Sequence, residues 1–364
     1  MEDLSYSERV AWLRLYRTPM IGPASFNLLL ARYGSAEAAL AASPEWGDNK
    51  KTHDFIIPSA AEIEREWRAL EKINGRFLWR AEKSYPQALA HISDAPPCLS
   101  VLGREEFLHK TLIAIVGARE ASLAGKKIAA SMASDLGAAG VCVISGFARG
   151  IDTAAHSGAL QSGTVAVLAG GVDHIYPPEN KNLYAEIINS GAIISEQPIG
   201  LRPTAQHFPR RNRIISGLAQ IIVVVEAKLR SGSLITARMA LEQGREVCAV
   251  PGSPQDQRAS GANLLIKQGA ALVENASDII AQLPAHLWPG KTPTCVKIFS
   301  SPDSEKENKF SQNKIWQALS GAPANIDQLV LETGMEVAKI QEILLELEFA
   351  GKIERLPGNN VCRV

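Results

Sequence analysis

Three arginines lie close together in the segment HFPRRNRIISGL, residues 207–218. Proline suits the first position of a helix, so Pro209 predicts that a helix begins there. Arg210, Arg211 and Arg213 would then lie in its first turn, where the helix dipole disfavours each cation by roughly 0.3–1 kcal/mol. A cluster that tolerates this repulsion suits a bound anion, because arginine holds a phosphate through paired hydrogen bonds.

Loops of glycine, serine and arginine follow most of the short apolar runs in the middle of the chain. Exposed backbone N–H groups, hydroxyls and helix N-termini in such loops form anion sites. Because ligands bind at the carboxyl ends of parallel strands, we expect these loops to form one phosphate-binding face. The candidate residues are Gly117, Arg119, Ser145, Gly146, Arg149, Phe208, Arg210, Arg211, Asn212, Arg213, Lys228, Ser231, Gly232 and Ser233.

The charge distribution agrees with a local anion site. The whole chain has 38 basic and 38 acidic residues, so its average charge attracts no polyanion. Residues 202–230 contain six lysines and arginines against one acidic residue, Glu226, which gives this segment a net charge of +5. Positive charge is therefore concentrated beside the predicted edge of the sheet.

Several candidate residues have structural alternatives. Arg213 could form an ion pair with Glu196 or Glu226 instead of holding an anion. Phe208 could be a core residue or a platform on which a base stacks. The serines of residues 231–233 could include a nucleophile, but no His/Asp partner is apparent, which favours phosphate binding or helix capping.

The sequence argues against several classes of protein. No G-x-G-x-x-G follows TLIAIV and no G-x-x-x-x-G-K-[ST] occurs, which disfavours a nicotinamide dehydrogenase and a P-loop ATPase. The five cysteines contain no CxxC pair, which disfavours a zinc ribbon and suits a reducing cytosol. Asp152 and His156 could form a metal or catalytic pair, but a helix cap and a buried histidine are favoured. We therefore expect no metal and no cofactor.

The chain divides into regions with different patterns. Residues 1–105 have helical periodicity, and residues 106–283 alternate apolar runs with helical stretches, which predicts a doubly wound, mostly parallel α/β sheet. Residues 284–313 are rich in proline, serine and charge, as linkers are, and residues 314–364 predict a winged helix. The polar N-terminus is no secretory signal, and no apolar run approaches the ~20 residues that cross a bilayer. We expect a cytoplasmic protein with no membrane contact.

The motifs of residues 110–275 include VGAR, SGFARGIDTAAHSGAL, HFPRRNRIISGL and KLRSGSLITARMALEQG. In this order they resemble the DNA-processing protein A family (DprA, also called Smf). The resemblance implies an extended Rossmann-like domain that binds single-stranded DNA. It also implies a helical N-terminal domain of sterile-alpha-motif type and a C-terminal winged helix.

The resemblance further implies a homodimer that loads the RecA recombinase onto DNA during natural transformation, with no established catalytic activity. The family's DNA-contacting motifs fall on Gly117 and Arg119, on Ser145 and Gly146, on residues 208–213, and on Lys228 with the SGS loop. Arg210 occupies the variable position x of the family's F-P-x-R-N-R motif.

Two other functions stay open. Phosphoribohydrolases of Rossmann-like fold carry a P-G-G-x-G-T-x-x-E signature, but RSGSLITARMA has Arg238 and Met239 where the acid would be needed. A mononucleotide sensor would bind nucleotide tightly with no dependence on strand length. In the predicted winged helix, the segment 336–349 carries four glutamates and one lysine, so we expect it to contact protein or regulate access, not to bind duplex DNA.

Overall fold

The structure is a computed structural model, and it describes residues 3–46, 56–288, 314–319, 324–335, 337–349, 352–356 and 360–363. The chain forms two compact units, Met1–Thr292 and Pro293–Val364. The predicted linker, residues 284–313, lies outside the described residues from position 289 onward.

The first unit contains a nine-stranded sheet within its described residues. The strands are β1 (Arg76–Trp79), β2 (Cys98–Gly103), β3 (Leu112–Val116), β4 (Cys142–Ser145), β5 (Thr164–Val167), β6 (Ala192–Ser195), β7 (Ile221–Val224), β8 (Glu246–Ala249) and β9 (Ala271–Leu272). Their order across the sheet is β1-β2-β6-β5-β4-β3-β7-β8-β9. Strands β3 to β9 pair in parallel, whereas β2 is antiparallel to both β1 and β6.

Helices cover both faces of this sheet. They are α1 (Tyr6–Arg17), α2 (Pro23–Tyr33), α3 (Ala36–Ala41), α4 (Ala60–Lys72), α5 (Gln87–Ala90), α6 (Leu123–Ala138), α7 (Ile151–Ala159), α8 (Lys181–Ser190), α9 (His207–Leu218), α10 (Gly232–Glu242), α11 (Ser260–Lys267) and α12 (Ala276–Ala281). Helices α9, α10 and α11 share one buried cluster with the strands, and α6, α7 and α12 share another. The valine and isoleucine runs are buried on both sides, which confirms the predicted doubly wound fold.

The N-terminal helices share a core with the sheet. Trp12 and Phe26 pack in one cluster with Phe77 and Trp79 of β1 and with Ile193 of β6. The predicted boundary after residue 105 follows strands β1 and β2, whose hydrogen bonds join them to the sheet. The helical pattern assigned to the first region therefore ends at α4, and the sheet begins at β1.

The direction of winding reverses between β3 and β7. From β3 the chain adds β4, β5 and β6 on one side, and it then returns through α9 to place β7 on the other side of β3. Such a reversal separates the loops that follow the two neighbouring strands and leaves a crevice at their carboxyl ends. The predicted phosphate-binding loops after β3 and β7 lie at this crevice.

The second unit has the element order of a winged helix. Its described elements are α13 (314–318), β10 (Ala324–Asn325), α14 (Ile326–Thr333), α15 (Val337–Phe349), β11 (Ile353–Leu356) and β12 (Asn360–Arg363). The strands pair antiparallel in the order β10-β12-β11. Ile315, Leu329, Ile340 and Leu344 form its buried core, so the predicted winged helix is confirmed.

Candidate functional site

A cavity of about 400 Å³ opens at the carboxyl ends of β3 and β7. Its walls are the loop after β3, the first half of α9, the loop after β7 and the first turn of α10. The sequence-predicted residues that line it are Gly117, Arg119, Phe208, Arg211, Asn212, Lys228, Ser231, Gly232 and Ser233. The structure therefore brings together candidates from loops more than a hundred positions apart in the chain.

A second cavity of about 160 Å³ lies on the other side of Phe208. It shares Arg119, Phe208 and Arg211 with the first cavity, and the predicted residues Gly146 and Arg149 also line it. Among the residues of its wall that the sequence analysis did not select are Gly170, His174, Tyr176 and Pro203. These residues come from the loop after β5 and from the segment before α9, so only the fold places them beside Phe208.

Close backbone packing shapes the floor between the two cavities. Gly150 has a φ of +81°, and a Cβ there would lie 2.2 Å from the carbonyl oxygen of Ala118. A Cβ on Gly146 would lie 2.7 Å from a carboxylate oxygen of Asp152 and 2.8 Å from Cζ of Arg211. Glycine is required at both positions because no side chain fits between these loops.

Arg211 is a buried cation at the junction of the cavities. It is 5% exposed, and its Nη1 donates to the carbonyl oxygens of Gly146 and, at 2.5 Å, Val167. Burial lowers the pKa of Arg211 to about 10, while Asp152 acts in the opposite direction. The buried Asp152 carboxylate accepts a hydrogen bond from the backbone N–H of Ala148 at 3.2 Å, and burial raises its pKa. Arg211 therefore orders the strand ends as well as lining the cavities.

Phe208 is a half-buried aromatic ring surrounded by cations. The guanidinium carbon of Arg119 lies 4.9 Å from the ring centroid, and that of Arg211 lies 6.0 Å from it. The ring of Tyr176 lies 5.8 Å away, centroid to centroid. The ring lines both cavities and lies outside the three buried clusters of the first unit, so it is not a core residue.

The predicted start of the arginine helix is wrong by two residues. Helix α9 begins at His207, so Pro209 is its third residue and Arg211 lies beyond the first turn. Proline fits there because the first N–H groups of a helix have no acceptor within the helix. The predicted repulsion by the helix dipole is consequently smaller for Arg211 and Arg213, since the dipole effect fades beyond the first turn.

The loop after β7 ends in the N-terminus of α10. Ser231 caps this helix, since its Oγ accepts from the backbone N–H of Ser233 at 3.2 Å, and the two hydroxyls are hydrogen-bonded to each other. Lys228 and Arg230 are exposed on the same loop. A helix N-terminus beside two cations favours a negatively charged group.

Exposed cations around the cavity lack acidic partners. Within the described residues, no ion pair involves Arg119, Arg202, Arg210, Lys228 or Arg230. The only acidic residue of the segment 202–230, Glu226, instead accepts hydrogen bonds from Ser122 at the start of α6, at 2.5 Å from Oγ and 2.9 Å from the backbone N–H. Two acidic residues, Glu120 and Asp152, also line the cavity, but within the described residues neither forms an ion pair with these five cations.

Three other predicted residues differ in their surroundings: Ser145 and Arg149 have partners within the protein, and Arg210 lies outside the cavities. The buried hydroxyl of Ser145 donates to the carbonyl oxygen of Ile115 at 2.6 Å. Arg149 is exposed and forms an ion pair with Glu179 at 2.5 Å. Arg210 is exposed but lines neither cavity.

Arg213 follows the structural alternative. It is 7% exposed, lines neither cavity, and forms an ion pair with Glu196. It also donates to the backbone oxygen of Asp94 at 2.7 Å. The other partner considered for it, Glu226, is bonded to Ser122.

Asp152 and His156 do not form a shared site. Helix α7 is capped at Gly150, and Asp152 bonds to the preceding loop. His156 is fully buried, its Nδ1 lies 2.9 Å from the Thr164 hydroxyl, and burial lowers its pKa to about 3. In the described part of the chain, no group of three or more His, Cys, Asp or Glu residues is arranged to hold a metal ion, and no helix is long and apolar enough to span a membrane.

Family models match most of the chain. "DNA recombination-mediator protein A" matches residues 76–284, "DprA-like N-terminal HHH domain" matches residues 6–69, and "DprA winged helix domain" matches residues 300–359. Protein Smf of Escherichia coli (strain K12) is 39% identical over 316 residues, which are 86% of this chain and 84% of that protein. Protein Smf of Synechocystis is 31% identical over 395 residues and covers 98% of both chains.

Two solved structures share the fold. The X-ray structure of DNA processing protein A from Streptococcus pneumoniae has a TM-score of 0.64 and 31% identity, covering 78% of this chain and all of that one. A structure of DNA processing protein A from Helicobacter pylori, described for its single-stranded DNA binding mode, has a TM-score of 0.53 and 28% identity, covering 57% of this chain and 95% of that one.

Proposed function

Because the chain belongs to the DNA recombination-mediator protein A family, we propose that it binds single-stranded DNA at the strand-end surface. We define this surface by the cations Arg119, Arg210, Lys228 and Arg230 and the ring of Phe208. It protects incoming DNA there and loads the RecA recombinase onto it during natural transformation and homologous recombination. The observation that carries this proposal is the set of unpaired cations around an aromatic ring at the switch point of the sheet.

The order of the strands supports an extended path for the DNA. The cavity loops follow β5, β4, β3 and β7, which are neighbours in the sheet. An open groove continues to the end of β8, and its lining is Glu120, Lys228, Ser253, Gln255, Asp256, Gln257 and Arg258. Neighbouring strands lie about 4.8 Å apart, so these five strand ends extend over roughly 19 Å. A flexible strand of several nucleotides fits this length.

The chemistry of the surface supports binding without sequence preference. Arginine, lysine and the N-terminus of α10 recognise phosphate, which carries no sequence information. The ring of Phe208 can stack on any base, because every base has a flat π face. Duplex DNA hides its bases between the two backbones, so we expect it to bind more weakly than a single strand.

Partners follow from the family and from geometry. A homodimer would present two strand-end surfaces, and a single DNA molecule that reached both would gain avidity without any new contact. We propose such a dimer, with RecA as the protein that receives the DNA, and we propose the cytoplasm as the site of action. In the second unit, we propose that the acidic segment 336–349 binds protein or regulates access.

We propose that the surface binds DNA without cleaving it. The hydroxyls of Ser231 and Ser233 bond to each other, and among the described residues no histidine or aspartate bonds to either hydroxyl. The phosphoribohydrolase signature needs an acid where this chain has Arg238 and Met239, and Arg238 is exposed on α10. Incubation with nucleoside monophosphates tests this alternative: release of free base would support the phosphoribohydrolase and contradict our proposal that the surface only binds.

Fluorescence anisotropy with labelled oligonucleotides of increasing length tests the main proposal. We expect affinity to rise with length and to fall steeply with salt, since each phosphate contact releases counterions. Arg119→Ala should weaken binding about tenfold. The control is Arg104→Ala, an exposed arginine that follows β2 at the opposite edge of the sheet and pairs with Glu106. Binding that is independent of length and unaffected by Arg119→Ala would favour the mononucleotide sensor.

A further inference from the structure

We infer that the N-terminal helices set the DNA affinity of the strand-end surface through Tyr16 and Glu196, which act as positioning residues for α9. This inference rests on the proposed function, because it takes α9 as a helix that presents residues to DNA. Neither Tyr16 nor Glu196 lines either cavity, so neither contacts a ligand bound there.

Glu196 is a buried carboxylate that connects three elements. It follows β6 directly and is 5% exposed. Its Oε2 accepts a hydrogen bond from the hydroxyl of Tyr16 in α1 at 2.7 Å, and the same oxygen forms an ion pair with Arg213 of α9. One side chain therefore joins an N-terminal helix, a strand end and the helix that carries Phe208.

A second residue of α1 holds the backbone at the same point. Arg17 donates from Nη1 to the backbone oxygen of Glu196 at 2.9 Å. The rest of its guanidinium pairs with Glu66 of α4, with Nη2 and Oε1 2.8 Å apart. Consecutive residues of α1 thus hold both the side chain and the backbone of Glu196, and α4 fixes the orientation of Arg17.

Helix α9 is held on two opposite sides. Arg211 and Arg213 are two residues apart, so they point about 200° away from each other around the helix. Arg211 bonds to the carbonyl oxygens of Gly146 and Val167, whereas Arg213 bonds to Glu196 and to Asp94. A rotation of α9 would break one set of bonds or the other. Phe208 lies one turn before Arg211, so its position against the cavities depends on both sets.

The protonation states favour a permanent connection. Burial raises the pKa of Tyr16 well above its ordinary value, and the neighbouring Glu196 raises it further, so the hydroxyl stays protonated and donates. Burial alone would lower the pKa of Arg213, but the carboxylates of Glu196 and Asp94 raise it, so the guanidinium stays charged. A buried cation deprived of its partner is strongly unfavourable, which keeps Arg213 at this position.

Two variants test the inference by anisotropy with single-stranded DNA, at a temperature well below each variant's unfolding midpoint. Tyr16→Phe removes the hydrogen bond without changing charge or shape, and Glu196→Gln weakens the attraction for Arg213. We expect each to weaken binding about threefold to tenfold. The slope of log affinity against log salt should stay that of the wild type, because no phosphate contact is removed. In contrast, Arg119→Ala should reduce that slope.

Glu82→Gln is the matched control. Glu82 is a buried carboxylate, 7% exposed, that pairs with Arg9 of α1 at 2.7 Å but has no bond to α9. Glu82→Gln removes the same negative charge as Glu196→Gln, so it controls for the effect of net charge on DNA binding. We expect the affinity of Glu82→Gln for single-stranded DNA to equal that of the wild type.

Three outcomes would overturn the inference. One is wild-type affinity in Tyr16→Phe and Glu196→Gln while Arg119→Ala still weakens binding. Another is a reduced salt slope in these variants, which would mean that the network itself contacts phosphate. The third is an equal loss of affinity in Glu82→Gln. Failure of the proposed function is distinguishable from all three, because the wild-type protein would then show no length-dependent binding.

Discussion

Arginines behave differently at the two edges of the sheet. Four arginines of the N-terminal helices and of the edge where the parallel strands begin are paired with glutamates: Arg9 with Glu82, Arg17 with Glu66, Arg76 with Glu105 and Arg104 with Glu106. At the carboxyl edge, Arg149 and Arg258 are paired with acids, but Arg119, Lys228 and Arg230 form no ion pair within the described residues. The nearby Glu226 accepts hydrogen bonds from Ser122, the residue that caps α6. The chain has equal numbers of acids and bases, so this contrast is one of placement. Arginines with glutamate partners stabilise the fold, and those without partners are available for a ligand.

Replacement of Arg211 gives the largest expected effect, because this arginine both stabilises the fold and lines the cavities. Arg211→Ala would leave two buried carbonyl oxygens and the Asp152 carboxylate without their cation. We expect the free energy of unfolding to fall by about 3 kcal/mol, measured by urea denaturation, together with a loss of DNA binding. Unchanged stability with lost binding would move Arg211 into the ligand-binding group alone.

The free energy of unfolding and the affinity for DNA should depend differently on pH. The pKa of His156 is about 3 in the folded protein, against an ordinary value of 6.5, so between these values the unfolded chain binds the extra proton. The stabilising contribution of the neutral histidine is complete above pH 6.5 and is lost as pH falls towards 3, by about 2 kcal/mol at pH 5.

Guanidinium groups stay charged between pH 6 and 8, so the affinity for DNA should change little over that range. Denaturation at several pH values checks the slope, and His156→Gln should flatten it. A steep pH dependence of affinity in the wild type would implicate a titrating group in DNA binding.

Removal of an unpaired cation tests the carboxyl edge. We expect Lys228→Ala to weaken single-stranded DNA binding about tenfold and to reduce the salt slope by about 0.7. Its free energy of unfolding should stay within about 0.5 kcal/mol of the wild type, because the side chain is exposed and has no ion-pair partner in the described structure. A loss of stability without a loss of affinity would remove Lys228 from the strand-end surface.

Removal of a paired arginine tests the other group. Arg9→Gln should lower the free energy of unfolding by about 1 kcal/mol, since Arg9 is partly exposed and its partner Glu82 is buried. DNA affinity should equal that of the wild type at the same salt concentration. Weaker binding by this variant would show that pairing with glutamate does not separate structural from ligand-binding arginines.

Shortening the chain gives the smallest expected effect. A protein that ends at residue 288 lacks the acidic segment 336–349, which is poorly suited to phosphates. We expect its affinity for single-stranded DNA to stay within about twofold of the full chain, measured by anisotropy under matched salt. A loss of more than about tenfold would mean that the second unit contacts DNA directly.

The sequence predicted the sheet well, because valine and isoleucine runs bounded by glycine are typical of strands buried on both faces. It did not identify β1 and β2, which lie next to helical segments and pair antiparallel at the edge. The structure brings Arg119, Phe208 and Arg211 together at the strand ends, since loops after parallel strands meet at one edge. Spacing alone could not separate Arg211 from Arg213, because their burial depends on partners from distant segments. Tyr176 follows the apolar run of β5 in the sequence, but only the fold places its ring beside that of Phe208.

The pairing of β3 with β7 has a consequence for the newly made protein. Ile113 and Ile221 are partners across these strands, and 108 positions of the chain separate them. The first cavity needs the loops that follow both strands, so a nascent chain cannot form it until residues 228–233 have left the ribosome. Contacts so distant in sequence also form late in folding, because the intervening loop must close first. The first cavity is therefore one of the last parts of the first unit to form.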